Sequence, residues 1–389
     1  MTAGEFVSRL TKQPRVDPVF LIAALLLLVI GLAMLFSAGY AKALSEEGNS
    51  YHYISRQVIF AVVGLIAMAV VSYIPFHLYK IPAFYLTYYA VSILLLILVY
   101  ILPSRDAQKR WIYIGGFQFQ PSEFAKLAVI FVLAVYLSKT VEYVRKPGEK
   151  NLKFIGKYFS YGLIFPMLIC GVCSALVLFE THLSGGILIL SVGLIMIFAR
   201  GNIKWRYLFF IGGVCLVIFA FVAFNVPYMK ERIDVFLHPE AADPDAAYQI
   251  KQSLYAIGSG GIFGVGYGQS RQKYLHLPEP QNDFIFSVVS EEVGFVGVVF
   301  IVILFAILIW RGISIALHSS DRFASLVAMG ITSRIAFQVI FNLAVISKLI
   351  PVTGISLPFF SYGGTALAVL LVEIGVVLQI SRYSYVKNE

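Results

Sequence analysis

An all-α integral membrane protein with ten transmembrane helices is the fold class this sequence predicts, and three observations carry it. Of the 389 residues, 59% are hydrophobic and only 13% charged, with a mean hydropathy of +0.83, outside the profile of a soluble globular domain. Apolar runs long enough to cross about 30 Å of hydrocarbon as helices recur along the whole chain. The ten-residue alternating pattern of a transmembrane β-barrel strand is absent.

The apolar windows fall near residues 18–39, 57–75, 83–102, 121–138, 158–179, 183–199, 207–227, 284–310, 324–347 and 362–381. The first is followed by "YAKA" (Tyr40 to Ala43), which resembles a signal cleavage site, but its apolar stretch is too long for a signal peptide, so it reads as a retained anchor. With ten spans both termini share one side, and the alternate connections can be compared for basic residues. One set, in short segments, carries 17 Lys and Arg; the other, longer in total, carries 11. The first set is therefore expected to be cytoplasmic, with both termini inside. The net charge of +9 reflects this placement and does not point to nucleic acid. Without a linker or internal repeat, residues 1–389 read as a single polytopic membrane domain. Cys170, Cys173 and Cys215 all sit in apolar runs and read as reduced packing residues.

The connection from 228 to 283 is external on this topology, and its length marks it as functional or disordered. Its sequence favours order. Asp243 can cap a helix that starts at Pro244 and stops at Gly258, with Ala247, Ile250, Leu254 and Ile257 on one stripe. That is an amphipathic helix for the outer surface or across the bundle. The following "GSGGIFGVGYGQ" has no dinucleotide or Walker spacing. It either turns the backbone tightly at the surface or makes an amide nest for a phosphate, the latter favoured by Arg271 and Lys273 just after it.

Ionisable residues at membrane depth are functional candidates by default, and four groups qualify. In "WIYIGGFQFQPSEFAKL", Pro121 opens a helix with Ser122 and Glu123 in its first turn, putting Glu123 and Lys126 three apart on one face, either as a self-neutralising pair or as a site with Arg105, Lys109, Arg110, Trp111, Gln118 and Gln120 beside them. In "LPEPQNDFIFS", Asp283 stands where the eighth span starts, in line with Ser287, Ser290, Glu291 and Gly294; a helix cap would account for Asp283 but not for Glu291 and Glu292 deeper in. Glu180 and His182 occupy an external turn that could hold both in solvent. Arg334 and Glu373 match in depth on the last two spans and are expected to pair within about 8 Å, each offsetting the other's desolvation.

Three long stretches then resemble the SEDS family, the shape, elongation, division and sporulation proteins, with wording nearer its FtsW and SpoVE branch than RodA. They are "WIYIGGFQFQPSEFAKLA", the run from "AYQIKQSLYAIGSGG" through "LPEPQNDFIFSVVSEEVGFVG", and "NLAVISKLIPVTGISLPFFSYGGT", in the family's order across nearly the whole chain. The resemblance implies a peptidoglycan glycosyltransferase that polymerises lipid II on the outer face of the bacterial cytoplasmic membrane, beside a class B penicillin-binding transpeptidase. It places the family's essential aspartate on Asp283 and its Q-P-S-E-x-x-K carboxylate and lysine on Glu123 and Lys126. Two departures stand out: Asn282 precedes the aspartate where Thr is common, and His182 in "ETHLSGG" replaces an Asp.

On that chemistry Asp283 is the base that takes the acceptor sugar's proton, inverting the donor carbon without a covalent intermediate. Lys126, Arg271 and Lys273 would hold the pyrophosphate, with Trp111, Gln120, Ser122, Glu123 and Glu291 completing the substrate site. No cofactor is required by the sequence; a divalent cation (Mg or Mn) on the pyrophosphate is compatible, though no ligand cluster demands one. The other readings are a lipid II flippase, which would concentrate unpaired charge near the midplane, and a noncatalytic scaffold of the cell-wall machinery.

Overall fold

A computed structural model of the chain describes residues 16–102, 110–114, 117–140, 160–180, 182–201, 212–213, 227–238, 244–274 and 277–384. Its helices are α1 (Pro18–Glu47), α2 (His52–Val71), α3 (Pro82–Ile101), α4 (Pro121–Lys139), α5 (Phe165–Phe179), α6 (Leu183–Ala199), α7 (Pro227–Leu237), α8 (Pro244–Ser259), α9 (Ile285–His318), α10 (Arg322–Ile346) and α11 (Gly364–Ser384). Eight spans are long and apolar enough to cross a membrane, α5 being counted with the π turn before it as Gly162–Phe179, and α6, at 17 residues, falls just short of that length. These nine coincide with nine of the ten expected spans. The expected seventh, 207–227, lies almost wholly outside the described residues, as do Cys215, Asp243 and both termini.

Local signals set several ends. Asp17 caps α1 by accepting from the Phe20 amide, Pro18 takes the first turn, and Gly48 closes the helix in the left-handed region. Asp321 caps α10 through the Phe323 and Ala324 amides. Helices α4, α10 and α11 are buried along most of their length, whereas α2, α3 and the second half of α9 turn large apolar side chains outward. The protein is thus a multi-pass helical bundle whose centre is α4 and whose rim is apolar.

A short hairpin precedes α4: β1 (Ile112–Ile114) pairs antiparallel with β2 (Phe117–Phe119). Its period of two divides the side chains. Gln118 and Gln120 turn to one side, while Phe119 stacks on Phe124 of α4 with ring centroids 4.9 Å apart.

Helix α9 is two helices across a break. Gly294 has φ 67° and ψ −172°, and the segment 260–266 fills the gap it opens. The Val265 and Gly266 amides donate to the Glu291 and Glu292 carbonyls, and the Phe295 and Val296 amides donate to the Gly261 and Ile262 carbonyls. The two backbones approach so closely that a Cβ on Gly294 would stand 2.1 Å from the Gly264 nitrogen. Irregular backbone survives inside a bundle only when its polar groups are met in this way. Two amides of the glycine run, those of Val265 and Gly266, are therefore committed to the helix, and the run turns the backbone tightly against it.

The amphipathic helix forms where expected, as α8, but runs to Ser259, one residue beyond Gly258. Its buried face is Ile250, Ser253 and Ala256, with Leu254 exposed, so the core stripe is rotated from the one the apolar spacing predicts. The reason is polar: Ser253 bonds Ser287 of α9 at 2.7 Å and the Ile346 carbonyl of α10 at 3.0 Å. Cys170 and Cys173 are both fully buried in the apolar interior.

Candidate functional site

One cavity of about 850 Å³ gathers the connections that the topology expects to lie outside. It is lined by residues from the end of α1, the hairpin, the starts of α4 and α6, α7, and the segments before α9 and α11. Asp283, Glu123, Lys126, Trp111 and Gln120 all border it, so five of the residues singled out from sequence converge.

Asp283 lies in the turn before α9, not in the cap position, which Phe284 occupies without a side-chain bond. Its turn is held from behind. Asn342 of α10 donates to the Asp283 and Ile355 carbonyls at 2.8 and 2.7 Å, Ser361 donates to the Asn282 carbonyl at 2.9 Å, and the Tyr362 amide donates to the Gln281 carbonyl at 2.8 Å. Glu279, at φ 50°, accepts from Gln281, Asn282 and Lys42, so it organises the turn and is more than a solvent-facing neighbour. The "NLAVISKLIPVTGISLPFFSYGG" stretch thereby serves as the mount for the carboxylate.

Gly354 leaves room for that carboxylate. An added Cβ there would lie 3.3 Å from Asp283 Oδ2 and 3.9 Å from Arg110 Nη1, so the two charges flank one point of a backbone held at φ +71°. Burial raises the Asp283 pKa above the ordinary carboxylate value, while Arg110 and Arg232 pull it back and Glu279 adds to the rise.

Deeper, Lys126 bonds Glu123 at 2.5 Å, Arg334 bonds the other Glu123 oxygen at 3.0 Å, and Arg334 meets Glu373 at 2.8 Å. The expected Arg334–Glu373 pair is present, but it is the far end of a four-charge chain across α4, α10 and α11 that reaches the cavity at Lys126. Glu123 and Lys126 thus pair with each other and also line the cavity.

Ser122, Arg271, Lys273 and Glu291 do not line the cavity. Ser122 is buried, and Arg271 is exposed. Lys273 pairs with Glu292 at 3.0 Å and donates to Ser37, while Glu291 accepts from the Ser270 hydroxyl and the Arg271 and Gln272 amides. Glu180 and His182 are buried, contrary to a turn that holds them in solvent, and His182 borders the cavity. Burial pushes the Glu180 carboxyl up to about 8, against the pull of Arg110. Arg232 and Gln338 also line the cavity and have no motif of their own; only the charge of Arg232 in a long external loop could have flagged it.

The family model described as "Cell cycle protein", which covers FtsW, RodA and SpoVE, matches residues 18–386. The chain is 40% identical over 380 residues to "Stage V sporulation protein E" of Bacillus subtilis (strain 168), covering 96% of this chain and 99% of that protein. It is 36% identical over 371 residues to "Probable peptidoglycan glycosyltransferase FtsW" of Geobacter sp. (strain M18), covering 94% and 96%. A solved chain described as "Structural coordination of polymerization and crosslinking by a peptidoglycan synthase complex" superposes with a TM-score of 0.75 at 26% identity, over 95% of this chain and 99% of that one. Length, order of motifs and fold agree throughout, and the chain belongs to the FtsW, RodA and SpoVE family of multi-pass membrane proteins, the SEDS family.

Proposed function

We propose that the chain is a peptidoglycan glycosyltransferase that polymerises lipid II at the outer face of the bacterial cytoplasmic membrane, with Asp283 as general base. The observation that carries the proposal is the convergence of Asp283, Arg110, Arg232 and Lys126 on one cavity of about 850 Å³. That volume is in the range of ligand sites, and its walls carry five carboxylates, Glu46, Glu47, Glu123, Glu279 and Asp283, among five Lys and Arg side chains. Asp283 would take the proton of the acceptor sugar hydroxyl as that oxygen attacks the donor carbon. Burial raises its proton affinity towards the working pH, where a general base is most effective. Arg110, Arg232 and Lys126 would stabilise the charge that develops on the departing pyrophosphate. One base and no covalent sugar intermediate correspond to inversion.

The membrane arrangement that goes with this reading has ten spans and both termini in the cytoplasm. Lipids cover the outward apolar faces of α2, α3 and α9. The partner is a class B penicillin-binding transpeptidase, a reading supported by the similar solved chain's membership of a complex that joins polymerisation to crosslinking. Among the described residues no three His, Cys, Asp or Glu side chains converge as metal ligands, so no step is routed through a resident metal. A divalent cation on the pyrophosphate would enter with the substrate.

The test is polymer formation from lipid II by the purified protein in detergent, alone and with its transpeptidase. Asp283→Asn should lower the rate by about 10²- to 10⁴-fold while the protein remains folded. Equal polymer from the variant would remove Asp283 as base. No polymer from the unmodified protein under either condition would favour a flippase or a scaffold instead.

A further inference from the structure

We infer that Gln338 is a specificity-determining residue of this cavity, an amide that reads an N-acetyl group on the ligand and seats its methyl in the recess beside it. Gln338 lies on α10 with Arg334 one turn before it and Asn342 one turn after, a polar stripe on a helix face that is buried. Both neighbours are committed. Arg334 bonds Glu123 at 3.0 Å and Glu373 at 2.8 Å, and Asn342 bonds the Asp283 and Ile355 carbonyls at 2.8 and 2.7 Å. Gln338 therefore stands about 6 Å along the helix from the residue that mounts Asp283, and about as far from the one that holds Glu123. Its own amide has no hydrogen-bond partner among the described residues, and neither its oxygen nor its nitrogen is sealed off, since the side chain keeps a 5% exposure and lines the cavity. An interior amide without a protein partner is disfavoured unless a ligand or water meets it.

The space beside Gln338 selects the ligand. A recess of about 30 Å³ adjoins the cavity, and Glu123, Gln338, Ser356, Tyr362, Gly363 and Ala366 line both. Room of this size takes a group of about one or two heavy atoms. The rest of its wall includes Leu357, Phe359, Leu367 and Leu370, so much of it is apolar. That wall is firmly built. The Leu357 amide donates to the Ser361 hydroxyl at 2.7 Å, the hydroxyl donates to the Asn282 carbonyl at 2.9 Å, and Phe359 is held at φ 69°, in the left-handed region that side chains disfavour. Glu123 and Arg334 hold each other, and Ser361 is taken up by backbone, which leaves the neutral amide of Gln338 for a ligand. A primary amide offers a donor and an acceptor in one plane, the complement of the carbonyl and N–H of a secondary amide. A small apolar recess next to it takes a methyl. Amide and methyl together make an acetamido group, whereas a phosphate would leave the Gln338 oxygen without a donor, and a bare hydroxyl would leave the apolar wall empty. The sugars of lipid II are N-acetylated, so the ligand is a 2-acetamido sugar on the polymerase reading; the open amide and its recess stand apart from that reading.

The experiment uses the full-length protein in detergent with three substrates: lipid II, its analogue with 2-amino in place of both 2-acetamido groups, and its analogue with propionyl in place of acetyl. Polymer formation gives KM and kcat, and calorimetry in the Asp283→Asn background gives binding without turnover. Gln338→Leu should raise the lipid II KM by about tenfold, with less change in kcat, and leave the KM of the amine analogue within about twofold of the parent's. The parent should handle the propionyl analogue about tenfold worse than lipid II, because the recess has no room for the added methylene. Thermal unfolding of Gln338→Leu should not fall, since the amide it removes bonds nothing among the described residues; a glutamine that only held the fold would lower it and weaken both substrates alike. Equal losses on lipid II and the amine analogue, or a parent indifferent to propionyl, would overturn the inference and leave the polymerase reading standing. If no polymer forms, yet lipid II binds more tightly than the amine analogue and Gln338→Leu closes the gap, the polymerase reading falls and the recess stays. Absence of polymer with equal binding of the two overturns both. Should Gln338→Leu fail to fold, Gln338→Met keeps the length of the side chain and is judged by the same outcomes.

Discussion

Two groups of charge are buried inside this bundle, and they differ in what their polar atoms face. Around Glu292, the carboxylate accepts from Ser37 at 2.6 and 2.7 Å and from Lys273 at 3.0 Å, while the neighbouring Glu291 takes the Ser270 hydroxyl and two loop amides. Nothing in this group borders the cavity. Around Glu123, the chain Lys126–Glu123–Arg334–Glu373 is equally buried, yet its Lys126 and Glu123 end opens on the cavity that Asp283 shares. Burial of charge at membrane depth therefore does not identify a reactive site. The first group fastens a loop into a broken helix, and the second holds a cation where a substrate can meet it.

The largest effect should come from breaking the closed group. Glu292→Leu leaves the Lys273 ammonium buried without its carboxylate and weakens the hold of α1 on the 260–274 segment, which keeps the bonds from Lys273 to Ser37 and from Tyr267 to the Ala33 carbonyl. Removing one partner of a buried pair costs about 3–5 kcal/mol, so thermal unfolding in detergent should drop sharply. Lys273→Met added to Glu292→Leu should recover most of it, because the two charges leave together. If the single variant unfolds like the parent, the latch is not what holds the loop, and the contrast between the groups fails.

A buried carboxyl can also avoid the cost of burial by keeping its proton. Glu180 does this, with burial raising it from 4.5 to about 8. Between those values the native protein holds a proton that the unfolded chain has released. The stabilisation is therefore complete below about 4.5, falls as pH rises, and is gone above about 8. At about 1.4 kcal/mol per pKa unit, the whole slope amounts to a few kcal/mol. Thermal unfolding from pH 5 to 9 should show it, and Glu180→Gln should flatten it. An identical slope in the variant would place the titrating group elsewhere.

The contrast also explains what could be read without a structure. The apolar runs placed nine helices, because hydrocarbon demands about twenty apolar residues and little else produces them. Asp283, Glu123, Lys126, Trp111 and Gln120 were legible because each combines a polar group with a helix start or a hairpin edge. The hairpin itself was also legible in principle, since "IYIGGFQF" alternates about a Gly pair, but the helical signal after Pro121 drew the reading past it. What could not be read was which of two similar carboxylate groups met the cavity. Glu291 and Glu292, like Glu123, are carboxylates within two turns of a helix start beside an apolar run. The difference is made by Gly264 against Gly294, two residues thirty positions apart whose backbone contact brings the loop onto α9. Such a contact leaves no periodicity in the sequence.

The finest test separates holding the bundle together from charging the cavity, within the second group alone. The four charges Lys126, Glu123, Arg334 and Glu373 sum to zero, so Arg334→Met with Glu373→Leu removes one of each sign and leaves a neutral pair behind. Replacing a buried ion pair by apolar side chains of similar size is often neutral for stability, so unfolding should move by only about 1–2 kcal/mol. Catalysis should respond differently. With Arg334 gone, Glu123 has only Lys126 to neutralise it, and more of the ammonium's field is turned away from the cavity. The lipid II KM should rise about tenfold, equivalent to about 1.4 kcal/mol, with kcat less affected. Arg334→Met alone should be much the less stable variant, because it leaves two carboxylates against one ammonium. If the double variant keeps the parental KM, the chain ends functionally at Glu123, and Arg334 with Glu373 is only a brace between α10 and α11. If its KM rises while its unfolding is unchanged, the buried pair acts on the cavity through Glu123, which neither the spacing of Arg334 and Glu373 nor their matched depth could have foretold.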